Sequence, residues 1–132
     1  MSFKSYQDLQ VWQVGMDLVE QIYRLTHSFP QKELYALSNQ MQRAAVSIPA
    51  NIAEGHARDS TREFLRYVSI ALGSLAELET YLILARRLSY LEESDISTTH
   101  STANELGRML RGLQKALKAK LASRTAESPH LT

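Results

Sequence analysis

The chain has 132 residues, no cysteine, five glycines, three prolines and a formal net charge of +1. This length bounds a single domain that can bury a core unaided, and the lack of cysteine excludes disulfides, thiolate nucleophiles and cysteine metal sites. The near-neutral charge excludes a global field drawing the chain onto nucleic acid or membrane, so any such binding must come from local charge.

Scarce glycine and proline favour long helices, and four segments carry a helical period. The first runs from about Tyr6 to His27. Leu9, Trp12, Met16, Val19 and Tyr23 recur at alternating steps of three and four, and Val11, Leu18, Ile22 and Leu25 widen the stripe. Gln10, Gln13, Asp17 and Glu20 interrupt its apolar run, so it does not read as a signal peptide. The second segment runs from about Pro30 to Ala57, with Pro30 suited to its first turn. Leu34, Leu37, Met41, Ala44, Ile48 and Ile52 form its stripe. Pro49 lies inside it and predicts a kink or local break; Gly55 is expected to help end it.

The third helix starts at Ser60, where Ser60-Thr61-Arg62-Glu63 reads as a capping box. Phe64, Val68, Ala71, Leu75, Leu78, Leu82 and Ala85 follow, to about Ser89. The fourth runs from Ser94 or Asp95 to Ser123 on Ala103, Leu106, Leu110, Leu113, Leu117 and Leu121. Short links force antiparallel neighbours. The fold expected is all-α, an up-down-up-down four-helix bundle over residues 1–123, with a polar tail over 124–132. The most apolar run, Tyr81 to Ala85, is far short of the ~20 residues of a membrane span, so a soluble, cytoplasmic protein without a membrane partner is expected.

Helix three is apolar around most of its circumference and helix one is also wide. That pattern fits either a thoroughly buried helix or a second apolar face that packs on other subunits.

Chemistry for catalysis is missing. No Glu-x-x-His step lies on a core helix; Glu127-Ser128-Pro129-His130 lies in the tail. Glu54, His56, Asp59 and Glu63 straddle a helix end and a cap and read as surface groups, not metal ligands. Phosphate-loop, dinucleotide and nucleophile-elbow motifs are absent. No enzyme activity, cofactor or metal is expected.

Two polar patterns stand out. Arg43, Ser47, Asn51 and Glu54 recur at steps of four, four and three, and Ser74 and Glu77 stand beside Gly73 on helix three. They read as a solvated face or as a hydrogen-bonded seam serving assembly, with small neighbours at Ala44, Ala50 and Gly73 allowing close approach. Arg43 with Glu77 or Glu54 is the expected ion pair. On helix four, Arg108, Arg111, Lys115, Lys118, Lys120 and Arg124 stand between Leu106 and Arg124 without an acid. The first four share a face. They are either a solvated face near a helix C-terminus or a strip that contacts phosphates, without aromatics for base stacking.

Leu9 to Gln13, Phe29-Pro30 with Glu33-Leu34-Tyr35, Gln40 to Gly55, Ser60 with Glu63-Phe64, and Ala71 to Thr80 together resemble a known family. It is the bacterial four-helix-bundle proteins encoded within intervening sequences of 23S rRNA genes, also called S23 ribosomal proteins. The resemblance covers about residues 3 to 121. It implies a ring-shaped homopentamer with no known enzyme activity and does not imply ribosome membership. The family is similar in fold to the accessory variability protein of diversity-generating retroelements, a basic pentamer that binds a reverse transcriptase and nucleic acid. The function expected is a non-enzymatic oligomeric adaptor for RNA or DNA, or for a nucleic-acid-processing protein. The rival is a protein scaffold without nucleic-acid affinity.

Overall fold

Four long helices pack in chain order and close into a ring of contacts in a computed structural model that describes residues 5–127. They are α1 (Gln10–Thr26), α2 (Leu37–Ala57), α3 (Thr61–Arg87) and α4 (Glu93–Glu127). Short 3-10 turns at Tyr6–Asp8 and Gln31–Glu33 precede the first two. Each helix touches its sequence neighbours and α1 also touches α4, with α2 on α3 the most extensive pairing. This is the expected up-down-up-down bundle.

The core stripes of the last three helices match the heptads closely. Met41, Ile48, Ile52, Val68, Ala71, Leu78, Leu106 and Leu110 are fully buried, and each large one contributes about 1.5–3 kcal/mol by leaving water. By length and composition α3 is apolar enough to cross a membrane, which the five-residue run at Tyr81 to Ala85 did not suggest. Val68, Ala71, Leu75, Leu78 and Leu82 place part of that apolarity inside the bundle, while Ile70, Ile83 and Leu84 remain exposed.

In helix one the residues that widen the expected stripe lie deepest, and Leu9, Trp12 and Val19 of the first stripe pack at the edge of the core. Val11, Leu18 and Ile22 face the core, while Met16 and Tyr23 are 38% and 48% exposed. Trp12 and Val19 are half-buried beside them. Gly15 packs on Pro49 of α2, where a Cβ would sit 3.5 Å from Pro49 Cβ, an ordinary packing distance. Pro49 does not break α2, which runs continuously through it.

Other local expectations are corrected as well. Pro30 precedes the 3-10 turn, α2 begins only at Leu37, and Leu34 is exposed. The Ser60 hydroxyl accepts from the Glu63 N–H at 3.2 Å. The reciprocal half of the capping box is not made, because the Ser60 N–H donates to Arg58 O at 2.9 Å and the Glu63 carboxylate takes Arg66. Helix four starts at Glu93, with the Asp95 carboxylate accepting from the Glu92 N–H at 2.8 Å. It runs to Glu127, past Ser123. The part of the expected tail from 128 on, including His130, lies outside the described residues.

Both links at one end are tied together. The Tyr90 hydroxyl donates to Glu33 Oε2 at 2.7 Å, and Glu33 Oε1 accepts from the Leu37 N–H at 3.3 Å. Those two bonds hold the Glu33 carboxyl below its ordinary value. Helix three ends in a Schellman turn, Tyr90 N–H to Ala85 O and Ser89 N–H to Arg86 O, with Ser89 left-handed at φ 64°.

Gly55 does not end α2. It is buried in the last turn, two residues before the end, where a Cβ would lie 2.6 Å from Tyr67 Cβ and 3.1 Å from Phe64 Cδ1. The first contact is to the rigid root of a side chain, so α2 and α3 would have to separate. Gly55→Ala is expected to destabilise the bundle by about 1–3 kcal/mol. A thermal melt checks this, and an unchanged midpoint contradicts it.

Candidate functional site

Helix four presents a row of cations. Arg108, Arg111, Lys115 and Lys118 are all exposed, and none has an ion-pair partner among the described residues. At 3.6 residues per turn they fall within one sector of the helix. The Arg111 guanidinium lies back along the helix over Gly107, 3.2 Å from where a Cβ would sit on it. Lys120 does not belong to the row. Two residues beyond Lys118, it points to the opposite flank. Arg124 donates to Thr61 Oγ1 at 3.0 Å and ties the far end of α4 to the start of α3. Gly112 and Ala119 are exposed beside the row, and nothing lies within 4 Å of a Cβ placed on Gly112.

The polar stripe on α2 and α3 divides in two. Ser47 Oγ and Ser74 Oγ lie 2.8 Å apart across the helix pair, and Asn51 Nδ2 donates to Ser47 O at 2.7 Å and Ser47 Oγ at 2.9 Å. These three form a hydrogen-bonded cluster within the chain, in which Ser47 and Ser74 join α2 to α3 and Asn51 braces Ser47 from its own helix. Arg43, Glu54 and Glu77 stand outside it. Arg43 is exposed and makes no ion pair or hydrogen bond among the described residues. Glu77 accepts from the Tyr81 hydroxyl at 2.8 Å. Glu54 takes Arg58 at 3.2 Å and the Tyr67 hydroxyl at 3.1 Å. The expected Arg43 pairing is therefore not made within the chain, although Arg43 and Glu77 line one shallow groove with Gln40, Ala44 and Ser47.

Sequence reading missed the cluster that takes Glu54. The Tyr67 ring is buried, with the Arg66 guanidinium 4.5 Å and the Arg58 guanidinium 5.4 Å from its centroid. The Glu54–Arg58 spacing of four was the available local signal. Arg66 in turn holds the Glu63 carboxyl below its usual value through its hydrogen bond. Ser74→Ala is expected to cost about 0.5–1.5 kcal/mol, one buried hydrogen bond. Arg43→Ala should stay within about 0.5 kcal/mol in the isolated chain. Denaturant melts of both variants at a concentration that disfavours association check the contrast; equal losses contradict it.

Apolar side chains remain outside the core on two different faces. One is the α1 stripe of Met16 and Tyr23, beside Val46 of α2. While Ile83 is exposed on the side towards α4, the other face carries Ile70 and Leu84 of α3 and Leu88 at its C-cap. Gly73 stands on that outer side, and nothing lies within 4 Å of a Cβ placed on it. It therefore does not serve the close approach within the chain expected of it.

No group of three or more His, Asp or Glu among the described residues is placed to hold a metal. His56 stacks edge-on against Phe64 at 5.8 Å, and Glu54 and Glu63 are engaged as described.

Residues 7–112 match the family described as 23S rRNA-intervening sequence protein. Among solved structures, the chain is similar to a protein of unknown function from the S23 ribosomal protein family of Bacteroides thetaiotaomicron. The TM-score is 0.71 at 24% identity, over 80% of this chain and 98% of that one; at this identity the likeness shows the fold alone. No curated protein matches the chain.

Proposed function

The chain belongs to the 23S rRNA-intervening sequence protein family, a non-catalytic one, and from that premise we propose that it is an oligomeric accessory protein that binds nucleic acid through helix four. The observation that carries this reading is the row Arg108, Arg111, Lys115 and Lys118, exposed and without carboxylate partners among the described residues. Cations neutralised within a fold do not attract a polyanion; these four are available to do so. Their attraction is electrostatic and weakly specific for sequence. Four phosphate contacts give a log–log salt slope of about −2.8 to −3.6 per protomer. Fluorescence anisotropy of labelled RNA and DNA over a salt series tests it. No binding to either at low salt overturns the reading and favours a protein scaffold.

A homopentamer is the assembly we propose, with the subunit number taken from the family resemblance. Two distinct apolar faces on one chain suit a head-to-tail contact, in which one face of each copy meets the other face of the next and the ring closes. The α1 stripe and the α3 outer face are the pair we assign to it. A ring repeats the α4 row, and repetition raises the avidity of weak sites. Arg43 and Glu77, apart within the chain, are candidates to pair between copies.

A further inference from the structure

We propose that the α4 row takes double-stranded nucleic acid, gripped by its phosphates, in preference to a single strand; this rests on the nucleic-acid reading above. Helix four is 35 residues long, without proline and without a break. From Arg108 to Lys118 its cations therefore occupy a rigid line of about 15 Å at ~1.5 Å per residue. A rigid line of charge fits a partner whose phosphates are themselves held in place. A duplex offers that, with one charge per ~1.7 Å of axis against ~3.4 Å for each of its strands.

The counterion balance points the same way. Each contact contributes about 0.9 to the salt slope on a duplex and about 0.7 on a single strand, so the same four cations gain more from a duplex. Proteins that prefer single strands add aromatic platforms for the bases. Helix four contains no Phe, Tyr or Trp, and the aromatic contacts Tyr6–Trp12, Phe29–Tyr90 and His56–Phe64 all lie on other elements. The ground beside the row is also low. Gly112 and Ala119 are exposed, with open space around Gly112, so a broad, stiff body can come down onto the cations without meeting a side chain first.

The test titrates the full-length protein into a fluorescein-labelled 20-base-pair DNA duplex, a 20-base-pair RNA duplex and their separate strands. Anisotropy is followed over a salt series. At least one duplex is expected to bind about tenfold tighter than its own strands, with the steeper slope, and the two duplex arms show whether B-form or A-form geometry is accepted. Gly112→Leu with Ala119→Leu keeps every charge and replaces two exposed small residues with good helix formers. It should melt at or above the wild-type temperature and bind the duplex at least about fivefold more weakly, because the partner is held off the row. Single strands bound as tightly as the duplexes overturn the inference and leave the nucleic-acid reading standing. Wild-type duplex affinity in the double variant overturns the close approach. No binding to any probe at low salt overturns the nucleic-acid reading itself.

Discussion

Arg111→Glu, Lys115→Glu and Lys118→Glu together are expected to abolish measurable nucleic-acid binding while the bundle still unfolds cooperatively. The three side chains are exposed, and the core residues Leu106, Leu110 and Leu117 lie on the other side of α4, so reversal leaves the packing in place. It removes three phosphate contacts and replaces them with repulsion, a loss on the order of a hundredfold or more in affinity. Net charge alone does not account for such a loss if position matters. Arg24, Lys32 and Arg87 are exposed cations off the row, and reversing those three changes the net charge equally. That control should bind within a few-fold of wild type at moderate salt, where the Debye length of about 10 Å screens remote charge. Equal losses in both triples would make the attraction a property of the whole surface and not of the row. Binding that survives the first triple would move the site off the row, to the α2–α3 turn where Arg62 is exposed.

The second large effect is on assembly. Met16→Asp with Tyr23→Asp should leave each bundle folded and separate the copies. Both residues are only partly exposed in the single chain, 38% and 48%, and Asp is a poorer helix former, so their replacement should cost it about 1–2 kcal/mol. At an interface the same carboxylates would be buried without partners, which costs several kcal/mol. Size-exclusion chromatography should show a later-eluting species with wild-type helical content. Nucleic-acid affinity should fall along with the assembly, since the repeated row no longer acts in concert. Unchanged elution would remove the α1 stripe from the interface.

How far residues alone reached depended on whether local chemistry or tertiary geometry decided the outcome. The heptads of α2, α3 and α4 were legible because in each a single stripe is richest in large aliphatics, and that stripe is buried. Helix one carries two apolar stripes, and periodicity sets a period without setting a phase. Which stripe lies deepest is set by packing against the other helices, as where Gly15 meets Pro49, residues 34 positions apart. Gly55 looks like a terminator by local rules, and its reason lies in Tyr67 on the next helix. The Ser47–Ser74 bond was readable as two small polar residues on facing stripes. The expected Arg43 ion pair was not, because long side chains select partners by register and rotamer, and Glu54 and Glu77 had nearer partners in Arg58, Tyr67 and Tyr81. The cation row was legible from spacing, apart from Lys120, whose place on the other flank follows from the 100° turn per residue implied by helix geometry.

The proposed assembly would give a role both to the exposed apolar faces and to a row of only four cations. The measurement that tests it most directly is the mass of the wild-type protein by light scattering coupled to gel filtration at micromolar concentration. The account predicts a discrete species at five times the 14.9 kDa of the chain. A single species at 14.9 kDa would contradict it.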